Sequence, residues 1–284
     1  MTFQQSERGV HLKINILEDI SEIRKYFKPI QPTVGLHDEQ VVYQEFAPAF
    51  HLQNFIHCYW VLRTKKRMNV PFDYRVVSDG CIDIVFNLKN TNESFVMGFH
   101  NKSTEFSLGS EFAYGGIRFY PSIFPSLFKL SAKSLTNKEQ KLQLILPSLA
   151  EFISVNLKKD FHLAIPKINL FLKSFLQNKA HQIDDRFYEA FIEILKKRGH
   201  LEIEKALKTG LSPRQLRRFF DYYIGTSPKS FCQVVRFQYI LNAKLASNEP
   251  IDHKIFFEVG FFDQAHFIKN FTRFYGISPS KAFK

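Results

Sequence analysis

The last third of the chain contains one sequence pattern twice. Residues 216–228 (LRRFFDYYIGTSP) align with residues 267–279 (FIKNFTRFYGISP) when the first segment is shifted by 51 positions. The shift places Phe220 on Phe271 and superimposes a glycine and a Ser-Pro pair of each copy. Because a repeat of this length encodes one supersecondary unit per copy, the C-terminal residues are expected to form two copies of one such unit.

Each copy has the features of a helix-turn-helix unit. In the first copy, Ala206 is small enough for two helices to cross beside it, and Gly210 can adopt the backbone conformation of a tight turn. Ser212 is the expected N-cap of the second helix, and Pro213 is its expected first residue. Asp263 is the corresponding cap in the second copy.

The second helix of each copy is expected to have a buried apolar face and an exposed outer row. In the first copy the apolar face consists of Leu216, Phe219, Phe220 and Tyr223, and the outer row consists of Arg214, Arg217, Arg218 and Asp221. In the second copy the outer row consists of Ala265, Ile268, Lys269 and Thr272.

Residues 260–267 (GFFDQAHF), followed by Phe271, Gly276 and a Ser-Pro pair, resemble the signature of the AraC/XylS family of bacterial transcription regulators. The resemblance covers about 85 residues, although Phe256 stands where the family usually has alanine. It implies an all-α domain in which two helix-turn-helix units flank one long helix, here residues 227–247, and both second helices enter the major groove of double-stranded DNA.

The resemblance and the outer rows together give the expected DNA-contacting residues. They are Ser212, Arg214, Arg217 and Arg218 in the first unit, and Gln264, Ala265, His266, Ile268 and Lys269 in the second. Arginine is the commonest bidentate reader of guanine, which favours a base-reading role for the first row. The alternative is a charged helix face that contacts only solvent.

The charge distribution agrees with a DNA-binding C-terminal part. Residues 1–120 contain 13 Lys/Arg and 13 Asp/Glu, whereas residues 121–200 and 201–284 each contain 13 against 7. A basic C-terminal part beside a neutral N-terminal part is typical of a DNA reader joined to a sensor. A generally basic proteome would give the same net charge, so the charge alone does not decide the function.

The first 120 residues predict a small β-rich domain, either a sheet or a barrel. The expected strands are residues 55–62, 74–77, 81–88, 95–99 and 113–119, which are short apolar runs separated by turn signals, with a helix near residues 16–27 before them. Residues 55–60, 78–87 and 115–121 resemble the N-terminal domain of a subgroup of AraC-type regulators. This resemblance implies a sensor or dimerisation domain without a defined ligand.

The complete chain is therefore expected to be an α+β protein with three parts. Residues 1–120 are expected to form a β-rich sensor or dimerisation domain, residues 121–200 a helical connector, and residues 201–284 the double helix-turn-helix domain. The expected partners are operator DNA, a small-molecule effector, RNA polymerase and a second copy of the chain. Residues 1–10 lack a signal-peptide core, no apolar run could span a membrane, and a cytoplasmic location is expected.

The sequence gives no reason to expect catalysis, a metal or a cofactor. The alternative function is a DNA-repair or other enzyme fused to the DNA-binding module, but Cys58, Cys81 and Cys232 lack metal-binding spacing. His57 precedes Cys58, and neighbouring strand residues should point to opposite faces, which disfavours a shared ion. Arg118 on an apolar strand needs an acidic partner such as Asp83, and an anion-binding role is the alternative. Trp60 is expected in the core rather than in a ligand site.

Overall fold

The computed structural model describes residues 13–15, 20–32, 40–157, 161–177, 182–202, 209–246, 260–261 and 263–283. Residues 1–10, Ala206 and Phe256, which figured in the sequence analysis, lie outside these ranges. None of the helices in the described ranges is long and apolar enough to cross a membrane.

Six antiparallel strands form the main sheet of the N-terminal part, in the order β2-β3-β8-β5-β6-β9. Their bounds are β2 Val41–Phe46, β3 Ile56–Thr64, β5 Ile82–Asn87, β6 Ser94–Met97, β8 Ala113–Phe119 and β9 Glu139–Lys141. The outer strands β2 and β9 do not pair with each other in the described structure. Of the two alternatives from the sequence, the domain is therefore an open sheet.

Two smaller sheets accompany the main one. Strands β4 (Asp73–Val76) and β7 (Thr104–Ser107) pair antiparallel, and β1 (Lys13–Asn15) pairs with β10 (Gln182–Asp184). The five strands expected from the sequence are all present with slightly different ends. Strands β1, β2, β7, β9 and β10 were not predicted; short segments such as TEFS of β7 carry little apolar periodicity.

The two faces of the main sheet are both buried, but against different partners. Tyr59, Val61, Ile84 and Ile117 belong to the large core shared with the helices. Their neighbours along the same strands belong to a second cluster that faces the β4–β7 pair; it includes Cys58, Trp60, Leu62, Tyr74, Val85 and Phe112. Side chains alternate between faces along a strand, so the sheet separates the helical core from the β4–β7 pair.

The helices before the C-terminal domain complete the large core. Their bounds are α1 Ser21–Tyr26, α2 Ile123–Phe128, α3 Ala132–Leu135, α4 Leu142–Ile145, α5 Pro147–Asn156, α6 Phe161–Gln177 and α7 Asp185–Lys196, with a 3-10 turn at Phe50–Leu52. Asp184 caps α7 by accepting hydrogen bonds from the backbone amides of Arg186 and Phe187. The expected helical connector is present, but it also contributes β9 to the sheet.

The C-terminal helices are α8 (Pro213–Tyr223), α9 (Pro228–Ala246), α10 (Gln264–Tyr275) and α11 (Pro279–Ala282). Helix α8 joins the large core through Leu216 and Phe220. Helix α10 joins a separate cluster that also contains Val77 and Phe99 of the N-terminal part. Helices α8 and α10 are thus both packed directly against the N-terminal part.

Polar contacts reinforce this packing between the two parts. Gln238 of α9 is 1% exposed and hydrogen-bonds the backbone of Ile30 and the carbonyl oxygen of Ser78. The side-chain amide of Asn242 donates a hydrogen bond to the carbonyl oxygen of Lys28. A fully satisfied buried amide fixes one relative position of the elements that it joins.

Candidate functional site

The first expected reading helix, α8, begins with a capping box. The hydroxyl of Ser212 accepts a hydrogen bond from the Gln215 amide, and the Gln215 side chain accepts one from the Ser212 amide (3.3 and 3.0 Å). Both donors would otherwise be unsatisfied at a helix start. The cap at Ser212 and the first position of Pro213 are therefore confirmed.

Helix α8 is two-faced in the way that its spacing indicated. Leu216 and Phe220 are buried, whereas Arg214, Arg217 and Arg218 are exposed. Asp221 is partly buried and forms an ion pair with Lys133 at 3.2 Å. The three guanidinium groups therefore form the outer, solvent-facing row, and Asp221 is directed toward the rest of the protein.

The second expected reading helix, α10, is built similarly but has a different outer row. The Asp263 carboxylate accepts a hydrogen bond from the His266 amide at 2.7 Å, which confirms the predicted cap. Gln264, Ala265, Ile268, Lys269 and Thr272 are exposed. His266 is half-buried, and its ring centroid lies 5.3 Å from that of Phe261. His266 therefore packs within its unit as well as lying beside the outer row.

Helix α9 separates the two units. It contains 19 residues, which corresponds to about 28 Å, close to one turn of B-DNA at about 34 Å. Arg236 of α9 donates hydrogen bonds to the carbonyl oxygens of Gly199 and Gly260 (2.8 and 3.1 Å), so it ties together the segments that lead into both units. Leu245, in the last turn of α9, is 61% exposed.

A groove of about 640 Å³ lies between the units. Arg217 of α8, Lys229 and Gln233 of α9, and His266 of α10 line it. The two reading helices therefore approach each other on one side of α9. Sequence reasoning missed Lys229, although its position one residue after Pro228 in the first turn of α9 would have placed it near α8.

A second candidate site is a cavity of about 310 Å³ between the main sheet and the β4–β7 pair. Trp60, Val85 and Arg118 line it from the sheet, and Tyr74 and Phe106 line it from the opposite pair. Trp60 thus lies in the core, as expected, and also forms part of a cavity wall. Alternating strand positions place aromatic side chains there, but the sequence could not show that the two layers leave a space between them.

Arg118 forms a buried ionic network at the base of this cavity. Its guanidinium donates two hydrogen bonds to Asp83 (2.9 and 3.2 Å), which confirms the predicted pair, and it lies 3.6 Å from a carboxylate oxygen of Asp79. The indole N–H of Trp60 also donates to Asp83, at 3.0 Å. Burial raises the pKa of Asp83 to about 6, although the nearby Arg118 charge acts in the opposite direction.

The expectation that His57 and Cys58 point to opposite faces is wrong. The register of β3 against β8 shifts between Ile56 and Cys58, and this bulge brings His57, Cys58 and Glu45 within 4.8 Å of one another. Arg118 lies 3.6 Å from Glu45, and its positive charge disfavours a metal ion there. The absence of a metal site stays a prediction.

Two family descriptions match the chain. Residues 206–284 match a family described as "Helix-turn-helix domain", and residues 44–141 match one described as "Domain of unknown function (DUF6597)". No curated protein sequence matches the chain.

Solved structures of ToxT from Vibrio cholerae are similar over most of the chain. An apo ToxT variant from strain SCE256 is 16% identical, with 80% of this chain and 96% of that chain covered and a TM-score of 0.43. Another ToxT crystal structure is 14% identical, with 86% and 97% of the two chains covered and a TM-score of 0.38.

Proposed function

This chain carries an AraC-type helix-turn-helix domain behind a β-rich N-terminal domain, and we propose that it is a sequence-specific transcription regulator that senses a small molecule. The observation that carries the DNA-binding part is the pair of capped helices, α8 and α10. Each has a buried face and an exposed outer row, and a helix of about one DNA turn in length joins them.

In the proposed complex, α8 and α10 enter successive major-groove faces on one side of the duplex. Arg214, Arg217 and Arg218 supply positive charge and base-reading donors from the first unit. Ala265 and Ile268 of the second unit can contact thymine methyl groups, and Lys269 can contact a phosphate. Ser212 and Gln264 lie at the helix starts, where a backbone phosphate would be bound.

We further propose that the N-terminal domain is the sensor and that the cavity beside Trp60 is its ligand site. Its volume of about 310 Å³ lies at the lower end of the range of small-molecule sites, roughly 300–1,000 Å³. Its lining combines aromatic rings with a few polar groups, which is typical of such sites.

We do not favour the enzyme alternative. A repair reaction that transfers an alkyl group from DNA to a cysteine would need a reactive thiolate, and all three cysteines are buried in the described structure. Burial raises the pKa of Cys58 and Cys81 far above the usual range and that of Cys232 to about 12. RNA polymerase and a second copy of the chain are further proposed partners, and the cytoplasm, where bacterial DNA lies, is the proposed location.

In vitro selection of random duplex DNA with the full chain tests the DNA-binding function. We expect the selected sequences to share two half-sites about one helical turn apart. A triple variant of Arg214, Arg217 and Arg218 to Ala should enrich nothing, whereas the exposed sheet variant Arg63→Ala should enrich the same sites. Enrichment of no motif by the unmodified chain would refute the proposal.

A further inference from the structure

The cavity between the main sheet and the β4–β7 pair presents the face of an indole ring. Trp60 is paired with Gly116 across β3 and β8, and a side chain at Gly116 would overlap the indole. The indole therefore lies flat over Gly116 of β8. Its N–H donates a hydrogen bond to Asp83 of β5, the strand on the far side of β8. With one face against the sheet and one edge fixed, the ring offers its other face to the cavity.

Other aromatic rings complete the lining. Tyr74 and Phe106 come from the β4–β7 pair, and Tyr114 comes from β8. A cation held within about 6 Å of the face of such a ring is attracted by its negative π-charge, and quaternary ammonium groups are commonly bound in this way.

The charged groups at the exposed side of the cavity are negative, which favours a cationic ligand. Glu93 and Glu139 line its exposed side, and neither forms an ion pair with any residue that the structure describes. Burial raises the pKa of Tyr114, and the negative charges of Glu93 and Glu139 raise it further. The positive group of the cavity, Arg118, is already bound by Asp83 and lies near Asp79.

We propose that this cavity binds a compact organic cation, namely a primary amine, a quaternary ammonium or a guanidinium compound with a small apolar body. The proposal rests on the sensor function proposed above and specifies its ligand class. The cationic group would lie beside the ring of Tyr114, toward Glu93 and Glu139, and the apolar body would lie between Trp60 and the β4–β7 pair. An anion of the same shape would meet these two carboxylates without a free cation to pair with.

The walls of the cavity connect directly to the second reading helix. Val76 ends β4, and two residues later the Ser78 amide donates a hydrogen bond to the carbonyl oxygen of Phe274 in α10. The Ser103 amide, immediately before β7, donates to the carbonyl oxygen of Arg273. A ligand that displaces the β4–β7 pair must therefore move the groups that hold the end of α10, and so alter DNA affinity.

The unique tryptophan makes the site measurable, since the chain contains one Trp and it lines the cavity. The full chain is titrated with 2-phenylethylamine, 2-phenylethanol and 3-phenylpropionate, which share one aromatic body and differ in charge. We expect a saturable change in Trp60 fluorescence with the amine, with an affinity about tenfold higher than that of the alcohol. The carboxylate should give no saturable change. Tighter binding of the carboxylate, or no response to any of the three, would overturn the ligand class.

Variants of the glutamates test whether Glu93 and Glu139 contribute to the affinity for the amine. The double variant Glu93→Gln with Glu139→Gln should lose about tenfold in amine affinity, whereas Glu111→Gln, an exposed glutamate paired with Lys89 outside the cavity, should keep it. Equal affinity in the double variant would show that the two carboxylates take no part.

Gel shifts on the selected operator, with and without the amine, test the connection to α10. The amine should change the operator affinity of the unmodified chain and of Ser103→Ala, but not of Ser103→Pro, which lacks the amide donor. Operator affinity that is insensitive to the amine in every variant overturns the proposed coupling between the cavity and α10 and leaves the DNA-binding function intact. Absence of operator binding overturns the DNA-binding function, whatever the cavity binds.

Discussion

The amide of Ser78 donates a hydrogen bond of 3.2 Å to the carbonyl oxygen of Phe274, which lies in the last turn of α10. The last carbonyl groups of a helix have no partner within it. Here the N-terminal part supplies two of the missing donors, since the Ser103 amide also donates to Arg273 at 3.0 Å. The end of the second reading helix is therefore part of the interface with the proposed sensor.

Removing the buried amide of Gln238 should loosen this interface. Gln238→Leu leaves the carbonyl oxygen of Ser78 and the amide of Ile30 without their partners, and each unsatisfied buried group costs about 1–3 kcal/mol. We expect a loss of about 2–5 kcal/mol in the free energy of unfolding, measured with urea. Gln233→Leu, on the partly exposed side of the same helix, should cost under about 1 kcal/mol. If both variants lost the same free energy of unfolding, the hydrogen bonds of Gln238 would make no specific contribution to stability.

Asp83 should make the stability of the protein depend on pH. Burial raises its pKa from 3.8 to about 6, the Arg118 guanidinium and the Trp60 N–H act to lower it, and the charge of Asp79 acts to raise it. A pKa raised in the folded state gives a stabilising contribution that is present below the unfolded value and is lost as the pH rises through about 6. The free energy of unfolding should therefore fall as the pH rises from about 4 to 7.

The contribution of Asp83 is isolated by comparison with Asp83→Asn. The difference in unfolding free energy between the unmodified protein and this variant should shrink as the pH rises, because asparagine does not titrate. Asp73→Asn, which changes an exposed aspartate of β4, should keep the pH dependence of the unmodified protein. A difference that stays constant with pH would contradict the raised pKa.

Gly116→Ala tests the position of the indole. The added methyl group would overlap the Trp60 ring, so the ring must leave its place over β8, at a cost of about 1–3 kcal/mol. Tryptophan emission should shift to longer wavelength as the indole becomes more exposed. In a Trp60→Leu background the same substitution should cost much less, which a double-mutant cycle measures. An additive cycle would place the indole elsewhere.

The sequence predicted the helical half of this fold better than the interfaces. The caps at Ser212 and Asp263 and the buried face of α8 follow from local rules of spacing and capping, so they could be read directly. The bulge beside His57 could not, because an alternating pattern does not show where a strand gains a residue. The cavity and the contact of Ser78 with Phe274 depend on how distant layers pack, which no local pattern encodes.

Arg217 is the most direct test of the first DNA-binding unit. It is exposed on α8 and lines the groove between the units. If it reads a base, Arg217→Ala should cost about 1–3 kcal/mol on the selected operator and much less on random DNA. Equal losses on both would assign it to a phosphate, and no loss would remove it from the interface. Arg63→Ala, on the exposed side of β3, provides the control for a lost positive charge.

The two units should contribute unequally to binding. The outer row of α8 carries three arginines, whereas that of α10 carries Lys269 beside Ala265, Ile268 and Thr272. Arg273, the other cation of α10, lies in its last turn, where its backbone contacts the N-terminal part. Attraction to phosphates and its salt dependence both scale with the number of cations supplied.

We therefore expect the half-site under the first unit to dominate the affinity. Substituting single base pairs there should cost roughly 1–3 kcal/mol each. Losses in the other half-site should be smaller, because methyl contacts are weaker than bidentate arginine contacts. That half-site should also prefer A·T pairs, since its apolar side chains contact thymine methyl groups. Arg214→Ala should reduce the steepness of log affinity against log salt concentration by about 1, and Lys269→Ala should reduce it by the same amount. Each reduction corresponds to the loss of one phosphate contact in the unit concerned. The base pairs whose substitution causes large losses of affinity are assigned to a unit with operators in which one half-site at a time is replaced by random sequence. Steep losses confined to the half-site under α10 would show that its apolar row, rather than the arginines of α8, determines recognition.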